Sequence, residues 1–282
     1  MAAREAHAPQ LLAAFGVSAP KFVDRTAIAT VWQVARADGT PAALKAWHGG
    51  DLRNEAPGLD LMAAWDGAGV ARIYDRQDGA VLMEWLGGPS LGDMTREGDD
   101  AGAARILADV ANALQDARPT VPPGLPRLSD WFRPLLALEL DSACPAQARR
   151  DMEACRALAR GLLATERDVR PLHGDLHHDN VRRGARGYLA FDAKGLMGER
   201  AFELANAFRN PKGAEALLRE PACLLGRADV WSAALGVDRA RLLQWAAAKC
   251  ALSIAWRAKG RLRHDRELDL LGLLARLTEP PA

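Results

Sequence analysis

The stretch that most constrains this chain is LHGDLHHDN at residues 172–180, followed by the polar run VRRGARG and then by YLAFD, which ends at Asp192. His173, Asp175 and Leu176 stand at the spacing H-x-D-L, Asn180 follows Leu176 by four residues, and Asp192 lies twelve residues beyond Asn180. A carboxylate, an amide and a second carboxylate in this order suit phosphoryl transfer to a hydroxyl. The first, Asp175, orients the hydroxyl and accepts its proton; the other two, Asn180 and Asp192, offer hard oxygen donors to the cation that bridges the phosphates. The segment between them predicts a hairpin, with residues 180–182 running out, 184–187 turning and 188–191 returning, so that Asn180 and Asp192 meet at its base.

Two other readings of the same residues stay open at this point. His173, His177, His178, Asp175, Asp179 and Asp192 also make a donor set for zinc, manganese or iron, as in a metal-dependent hydrolase. A polar turn without chemistry has the same composition.

Composition narrows the partner. The chain carries 37 basic and 36 acidic residues, a net charge of +1, so no global field holds nucleic acid or an anionic membrane. A small-molecule partner is expected, with any charge on it read by local groups. Arg accounts for 31 of the bases and Lys for six, which makes a Lys inside an apolar run informative. Cys144, Cys155, Cys223 and Cys250 form no C-x-x-C pair and are expected to be reduced and buried. The amino terminus shows no sustained apolar core and no stretch reaches membrane-spanning length, so a cytoplasmic protein is expected.

Upstream of the central stretch the pattern is mainly strand. A short amphipathic helix at 5–15 precedes a β-rich segment at 21–36, a turn at Ala37-Asp38-Gly39 and a returning strand at 42–47 that carries Lys45. Lys45 stands like the Lys of the V-A-I-K strand, whose ammonium holds nucleotide phosphates. The turn at 24–27 contains no Gly-x-Gly, so close wrapping of phosphates by backbone amides is not assured; Thr26 is the candidate hydroxyl there. Residues 54–66 predict a helix with Asn54 as cap and Pro57 in its first turn. Glu55, at its start, is the candidate partner of Lys45, with a simple preference for acids at a helix N-terminus as the alternative. A second hairpin, 70–74 and 80–86, ends at MEWLGG, where main-chain groups of Glu84 and Leu86 are expected to read the nucleotide base and Trp85 to pack in the core.

Beyond Gly88 the periodicity becomes helical, at 100–116, 145–164, 201–208, 238–259 and 267–277, with a Pro-rich connector at 119–127.

Assembled in this way, the chain resembles the aminoglycoside phosphotransferase family, and within it the streptomycin 6-phosphotransferase branch grouped with hydroxyurea-type resistance kinases. LHGDLHHDN at 172–180, FDAKGLMGE at 191–199 and FELANAFRNP at 202–211 carry the resemblance, with Ala193 where that branch has Pro. ADGTPAALK at 37–45, Trp65-Asp66-Gly67 with Gly69, and LMEWLGG at 82–88 agree more weakly. The resemblance implies an α+β, two-lobed protein-kinase-like fold, with a small, mainly antiparallel β lobe at 1–86 and a larger helical lobe at 87–282. It further implies ATP and Mg2+ as cofactors, a monomer or homodimer, and phosphorylation of a drug hydroxyl. Asp175 is then the base, Asn180 and Asp192 the metal ligands, and Lys45 the phosphate anchor. Streptomycin-type drugs carry guanidinium groups, which pair best with forked carboxylates, and Glu199, Glu203 and Asp179 are the candidates. The same fold also serves other hydroxyl compounds, so a kinase of a sugar, choline or amino alcohol remains an alternative, as do the metal-dependent hydrolase and a nucleotide-binding protein without catalysis.

Overall fold

The computed structural model describes residues 8–50, 52 and 55–278. The amino-terminal part is a five-stranded sheet, β1 (Ser18–Arg25), β2 (Ala29–Ala35), β3 (Pro41–Trp47), β4 (Ile73–Gln77) and β5 (Ala80–Glu84), ordered β1-β2-β3-β5-β4 with every neighbour antiparallel. Because side chains alternate along a strand, β3 serves two faces. Ala42, Leu44 and Ala46 join Phe15, Val17 and Leu82 beneath the short helix α1 (Ala8–Ala14), while Ala43 and Trp47 face Leu59 of α2 (Ala56–Trp65) together with Val81 and Met83. Lys45 shares the second face, and this alternation is what turns its ammonium toward the cleft.

Helix α2 has Pro57 in its first turn and begins after Glu55; Asn54, the expected cap, lies outside the described residues. The β-rich segment at 21–36 divides at Thr26 into β1 and β2. Beyond Glu84 the chain turns helical, and α3 (Leu91–Arg96) opens on a capping box in which the Ser90 hydroxyl accepts from the Asp93 N–H and the Asp93 carboxylate accepts from the Ser90 N–H.

The second lobe is built from α4 (Asp100–Asp116), α5 (Leu128–Leu136), α6 (Ala146–Ala164), α7 (Pro221–Leu235), α8 (Arg239–Ala258) and α9 (Leu268–Leu277). Leu107, Val110, Ala111 and Leu114 of α4 are buried on one stripe, as their spacing predicts. Helix α8 is buried along almost its whole length, starts at Asp238, whose carboxylate accepts from the Arg241 N–H, and forms the axis of the lobe. Phe132 of α5 meets Phe202 and Trp245 edge-to-face at ring separations of 6.0 and 5.8 Å, and Phe202 meets Trp245 at 5.3 Å. Pairs of this geometry add about 0.5–1.5 kcal/mol each beyond the area they bury.

Three helices carry no expectation from the sequence, the short α3 among them. Helix α5 has Pro134 inside it and follows a Pro-rich connector, so its Leu128, Phe132, Leu135 stripe is easily passed over. Helix α7 has Pro221 in its first turn and a weakly one-sided apolar pattern. Conversely, residues 201–208 do not form one helix. They fold as two tight turns, Arg200–Phe202 and Ala205–Arg209, with Glu203 and Asn206 directed at the loop ahead of the catalytic hairpin. Among the described residues no helix is long and apolar enough to cross a membrane.

Candidate active site

The hairpin forms with β8 (Val181–Gly184) paired to β9 (Gly187–Ala190). At its base the Phe191 N–H donates to the Asn180 carbonyl at 3.0 Å, which fixes Asn180 beside Asp192. Asp192 itself adopts a left-handed backbone, φ 62°, the kind of local strain that persists only where neighbours over-determine it. Those neighbours are identifiable. β7 (Val169–Leu172) pairs with β10 (Leu196–Glu199), and the N–H groups of Lys194 and Gly195 both donate to the His173 carbonyl, so the segments before and after the hairpin clamp it.

Asp175 lies in that clamp. Its Oδ1 accepts from Asn206 Nδ2 at 2.7 Å, and its carbonyl accepts from Asn180 Nδ2 at 3.0 Å. The Asn180 amide nitrogen is thus committed to Asp175. His173 is fully buried; its Nε2 meets the Phe191 carbonyl at 3.0 Å and its Nδ1 accepts from the Asp175 N–H at 3.3 Å. Burial lowers its pKa to about 4, so it is a neutral spacer rather than a proton donor at neutral pH.

Across the cleft, Lys45 Nζ lies 2.6 Å from Asp192 Oδ1 and 2.9 Å from Glu55 Oε2. Burial alone lowers an ammonium pKa, yet the two carboxylates raise that of Lys45, and Lys45 in turn holds Asp192 below the usual carboxylate range against its own burial. Glu55 also accepts from Trp47 Nε1 at 3.0 Å and lies 3.4 Å from Lys194 Nζ. The pairing of Glu55 with Lys45 depends on how closely α2 approaches the loop after Asp192. A Cβ at Gly58 would overlap the Ala193 carbonyl, so only glycine permits that contact.

Four sequence expectations need correction. Glu199 is buried and forks onto Arg241, with Oε2 to Nη2 at 2.6 Å and Oε1 to Nε at 2.8 Å; it ties β10 to α8 and does not face the cleft. Glu203 is also buried, accepting from the His173 N–H at 3.0 Å, the Gly174 N–H at 3.2 Å and Gln115 Nε2 at 3.2 Å. It supports the catalytic loop from behind, and burial pushes its pKa up to about 7. Asp179 pairs with Arg96 at 3.0 Å and accepts from the Lys212 N–H, which joins α3 to the loop after the tight turns.

Thr26 uses its hydroxyl inside its own turn, accepting from the Ala29 N–H at 3.0 Å and donating to the Ala29 carbonyl at 3.2 Å. Glu84 has partners for its N–H and its side chain. Its main-chain N–H donates to the Arg72 carbonyl at 2.8 Å, and its side chain forks onto Arg186 of the hairpin turn at 2.6 and 3.0 Å, so the residue braces one lobe against the other. Arg186, which also donates to the Gly67 and Val70 carbonyls, carries no signal in the sequence beyond its place in a turn. At Leu86, in contrast, neither main-chain polar group meets a partner among the described residues outside helices and strands. Trp85 packs with Ala43, Val81 and Met83, as expected.

The histidines do not assemble a transition-metal site. His177 Nδ1 accepts from the Asp179 N–H, whereas His178 is buried beside Trp231 with both ring nitrogens unpartnered among the described residues. No group of three or more His, Cys, Asp or Glu side chains converges as a metal cage among those residues. What the hairpin base does bring near each other along the backbone are Asn180 and Asp192, with the Lys45 ammonium on Asp192, and an amide with a carboxylate is a donor pair suited to a hard divalent cation.

With this geometry established, the comparisons with known proteins are decisive for family. A family model described as aminoglycoside/hydroxyurea antibiotic resistance kinase matches residues 16–260. The chain belongs to that family. The chain is 41% identical over 221 residues to streptomycin 3''-kinase of Klebsiella pneumoniae, covering 77% of this chain and 79% of the relative. It is 33% identical to hydroxyurea phosphotransferase of Kitasatospora aureofaciens, covering 85% and 68%, and 29% identical to streptomycin 6-kinase of Streptomyces glaucescens, covering 80% and 74%. Among solved structures, a choline/ethanolamine kinase family protein from Mesorhizobium loti superposes with a TM-score of 0.64 at 15% identity, over 100% of this chain and 96% of that one. Amicoumacin kinase, solved with AMP-PNP and Ca2+, superposes at 0.62 with 13% identity over 96% and 91%. The chain therefore has the two-lobed protein-kinase-like fold.

Proposed function

We propose that this chain is an ATP-dependent O-phosphotransferase acting on a hydroxyl of a streptomycin-type aminoglycoside. The observation that carries the reading is the convergence of Lys45, Glu55 and Asp192 in one ion-paired cluster, with Asn180 tied to Asp175 through its side chain and to Phe191, the neighbour of Asp192, through its carbonyl. In this proposal Asp175 accepts the proton of the acceptor hydroxyl, with Asn206 fixing the orientation of its carboxylate. Asn180 and Asp192 would hold Mg2+, which when bound neutralises charge on the phosphate chain. Lys45, aimed by its ion pair with Glu55, would hold the phosphates. Leu86 supplies main-chain groups for the base.

The reading takes its substrate class from the streptomycin kinases and its chemistry from the cleft. Identity to the 3''-kinase is higher than to the 6-kinase, which favours the 3''-hydroxyl over the 6-hydroxyl suggested by the sequence blocks. The test is incubation with ATP, Mg2+ and streptomycin, with the product weighed by mass spectrometry and the esterified position read by phosphorus–proton correlation in NMR. Gain of one phosphoryl group at the 3'' position is expected. Gain at the 6 position changes the regiochemistry only; no gain removes the drug assignment. The second reading, phosphorylation of a smaller hydroxyl compound such as hydroxyurea, is favoured by the 33% identity to that phosphotransferase and is tested in the same assay.

A further inference from the structure

The three carboxylates expected to bind a cationic acceptor are all engaged elsewhere, which raises the question of what receives the positive charge. A cavity of about 390 Å³ beside the catalytic loop is lined by Asp130, Trp131 and Pro134 of α5, by Asp175, by Lys194 and by Trp256 of α8. Its two ends differ in charge. Lys194 is drawn toward the phosphate side of the cleft by Glu55, whereas the α5 and α8 side offers two indoles and a carboxylate. Trp131 and Trp256 meet edge-on, with ring centroids 5.2 Å apart at an interplanar angle of 74°, so they form a corner rather than a closed stack.

Trp256 is 39% exposed although it is among the largest apolar side chains of the protein, and a buried ammonium, Lys249, sits 4.8 Å from its ring centroid. Lys249 is held by Ser253 at 3.0 Å, so it occupies the interior side of the ring and fixes it from within. The solvent side is left open. An indole ring attracts a poorly hydrated, planar cation such as guanidinium through its π face, an effect that strengthens in a partly desolvated corner. Asp130 accepts from Arg133 and caps the Arg127 N–H, yet remains exposed enough to accept a further donor.

We propose that Trp131 and Trp256, with Asp130 at their rim, form the acceptor subsite that receives a guanidinium or ammonium arm of the substrate while a hydroxyl of the same molecule reaches Asp175. This deepens the phosphotransferase reading and rests on it for the identity of the acceptor. It assigns α5 as the specificity element. Phe132 on its buried side anchors the helix in the core, and Asp130 and Trp131 on its other side present the cation site.

The experiment compares Trp256→Leu, Trp131→Leu and Trp256→Phe with wild type, measuring kcat and KM for streptomycin and for ATP, with thermal unfolding as the control for folding. Each Leu variant is expected to raise the streptomycin KM roughly 10-fold while the ATP KM stays within about twofold, and Trp256→Phe is expected to recover most of that loss because it keeps an aromatic face. An unchanged streptomycin KM in both Leu variants, or a Phe variant as impaired as Leu, overturns the subsite while leaving the phosphotransferase reading intact. If wild type does not phosphorylate streptomycin, that reading fails by itself. The subsite is then judged by titrating ethylguanidinium chloride against tryptophan fluorescence. Saturable quenching in wild type that disappears in the Trp131→Leu/Trp256→Leu double variant supports it; no quenching, or equal quenching in both, overturns it.

Discussion

On the β-lobe side of the cleft, β1 is exposed at every position, Phe22 and Val23 included, and the turn after it is closed mainly by the hydroxyl of Thr26 and its own backbone. On the helical side, the loop from His173 to Asp175 is held by Glu203 at two N–H groups, by Asn206 at a carboxylate oxygen and by the Lys194 and Gly195 N–H groups at a carbonyl. Groups that must be placed to a fraction of an ångström sit where hydrogen bonds over-determine them. The β1–β2 turn has few buried contacts to hold it in the same way. One wall of the cleft is pinned by a hydrogen-bond network, and the other is exposed and lightly held.

The largest effect that bears on this contrast is expected at Asp175. Asp175→Asn is expected to lower kcat by about 10³-fold, since the amide cannot accept the hydroxyl proton, while the melting temperature and the ATP KM stay near wild type. ADP release measured by a coupled assay checks it, and comparable turnover would move the base elsewhere. Next comes Lys45→Ala, which strands Glu55 and Asp192 without their shared cation. A fall of roughly 10²-fold in kcat/KM for ATP is expected, larger than the effect on the acceptor KM; equal effects on both would indicate a general structural role.

Glu203→Gln probes the helical wall itself. Loss of the carboxylate that accepts from two loop N–H groups is expected to cost about 1–3 kcal/mol and to loosen the loop. The pH dependence has a definite sign. Burial raises the folded pKa of Glu203 from 4.5 to about 7, so the folded protein holds this proton over a range where the unfolded chain has lost it. The contribution of Glu203 to stability is therefore greatest below the unfolded pKa and declines as pH rises to about 7, by an amount on the order of 3 kcal/mol. The deficit of Glu203→Gln relative to wild type should accordingly be larger at pH 5 than at pH 7.5 in urea unfolding. A deficit that grows with pH would reverse the assignment. The smallest effect is expected on the exposed wall, where Thr26→Ala removes the turn hydroxyl and should change stability by about 1 kcal/mol or less and the ATP KM by less than about threefold. A large rise in ATP KM would show that this turn grips the nucleotide as firmly as the helical side does.

Sequence periodicity located most of the architecture because it reports burial directly. Alternation in β3 turns Lys45 away from Leu44, the stripe in α4 emerges from Leu107, Val110 and Leu114, and the hairpin follows from Gly184 to Gly187 between two short strands. Helix α5 was less legible, because Pro134 interrupts a nine-residue element that tertiary packing of Phe132 nonetheless stabilises. The carboxylates were the hardest to read. Glu199, Glu203 and Asp179 look in sequence like free acids beside the metal loop, and each is claimed by a partner distant along the chain: Arg241, the loop N–H groups with Gln115, and Arg96.

From its amino acids alone, the chain specified the order of its elements, the H-x-D-L-x-x-x-N stretch with its later Asp, and hence the chemistry those residue types suit. These are local matters of spacing and side-chain type. Only the tertiary structure decided which acids are struts and which face the cleft, how Glu55 and Lys45 meet, and that Trp131 and Trp256 share a corner beside Asp175. The reason is that an ion pair or an aromatic contact between residues far apart along the chain is set by how two faces pack, and packing leaves no spacing in the sequence to be read.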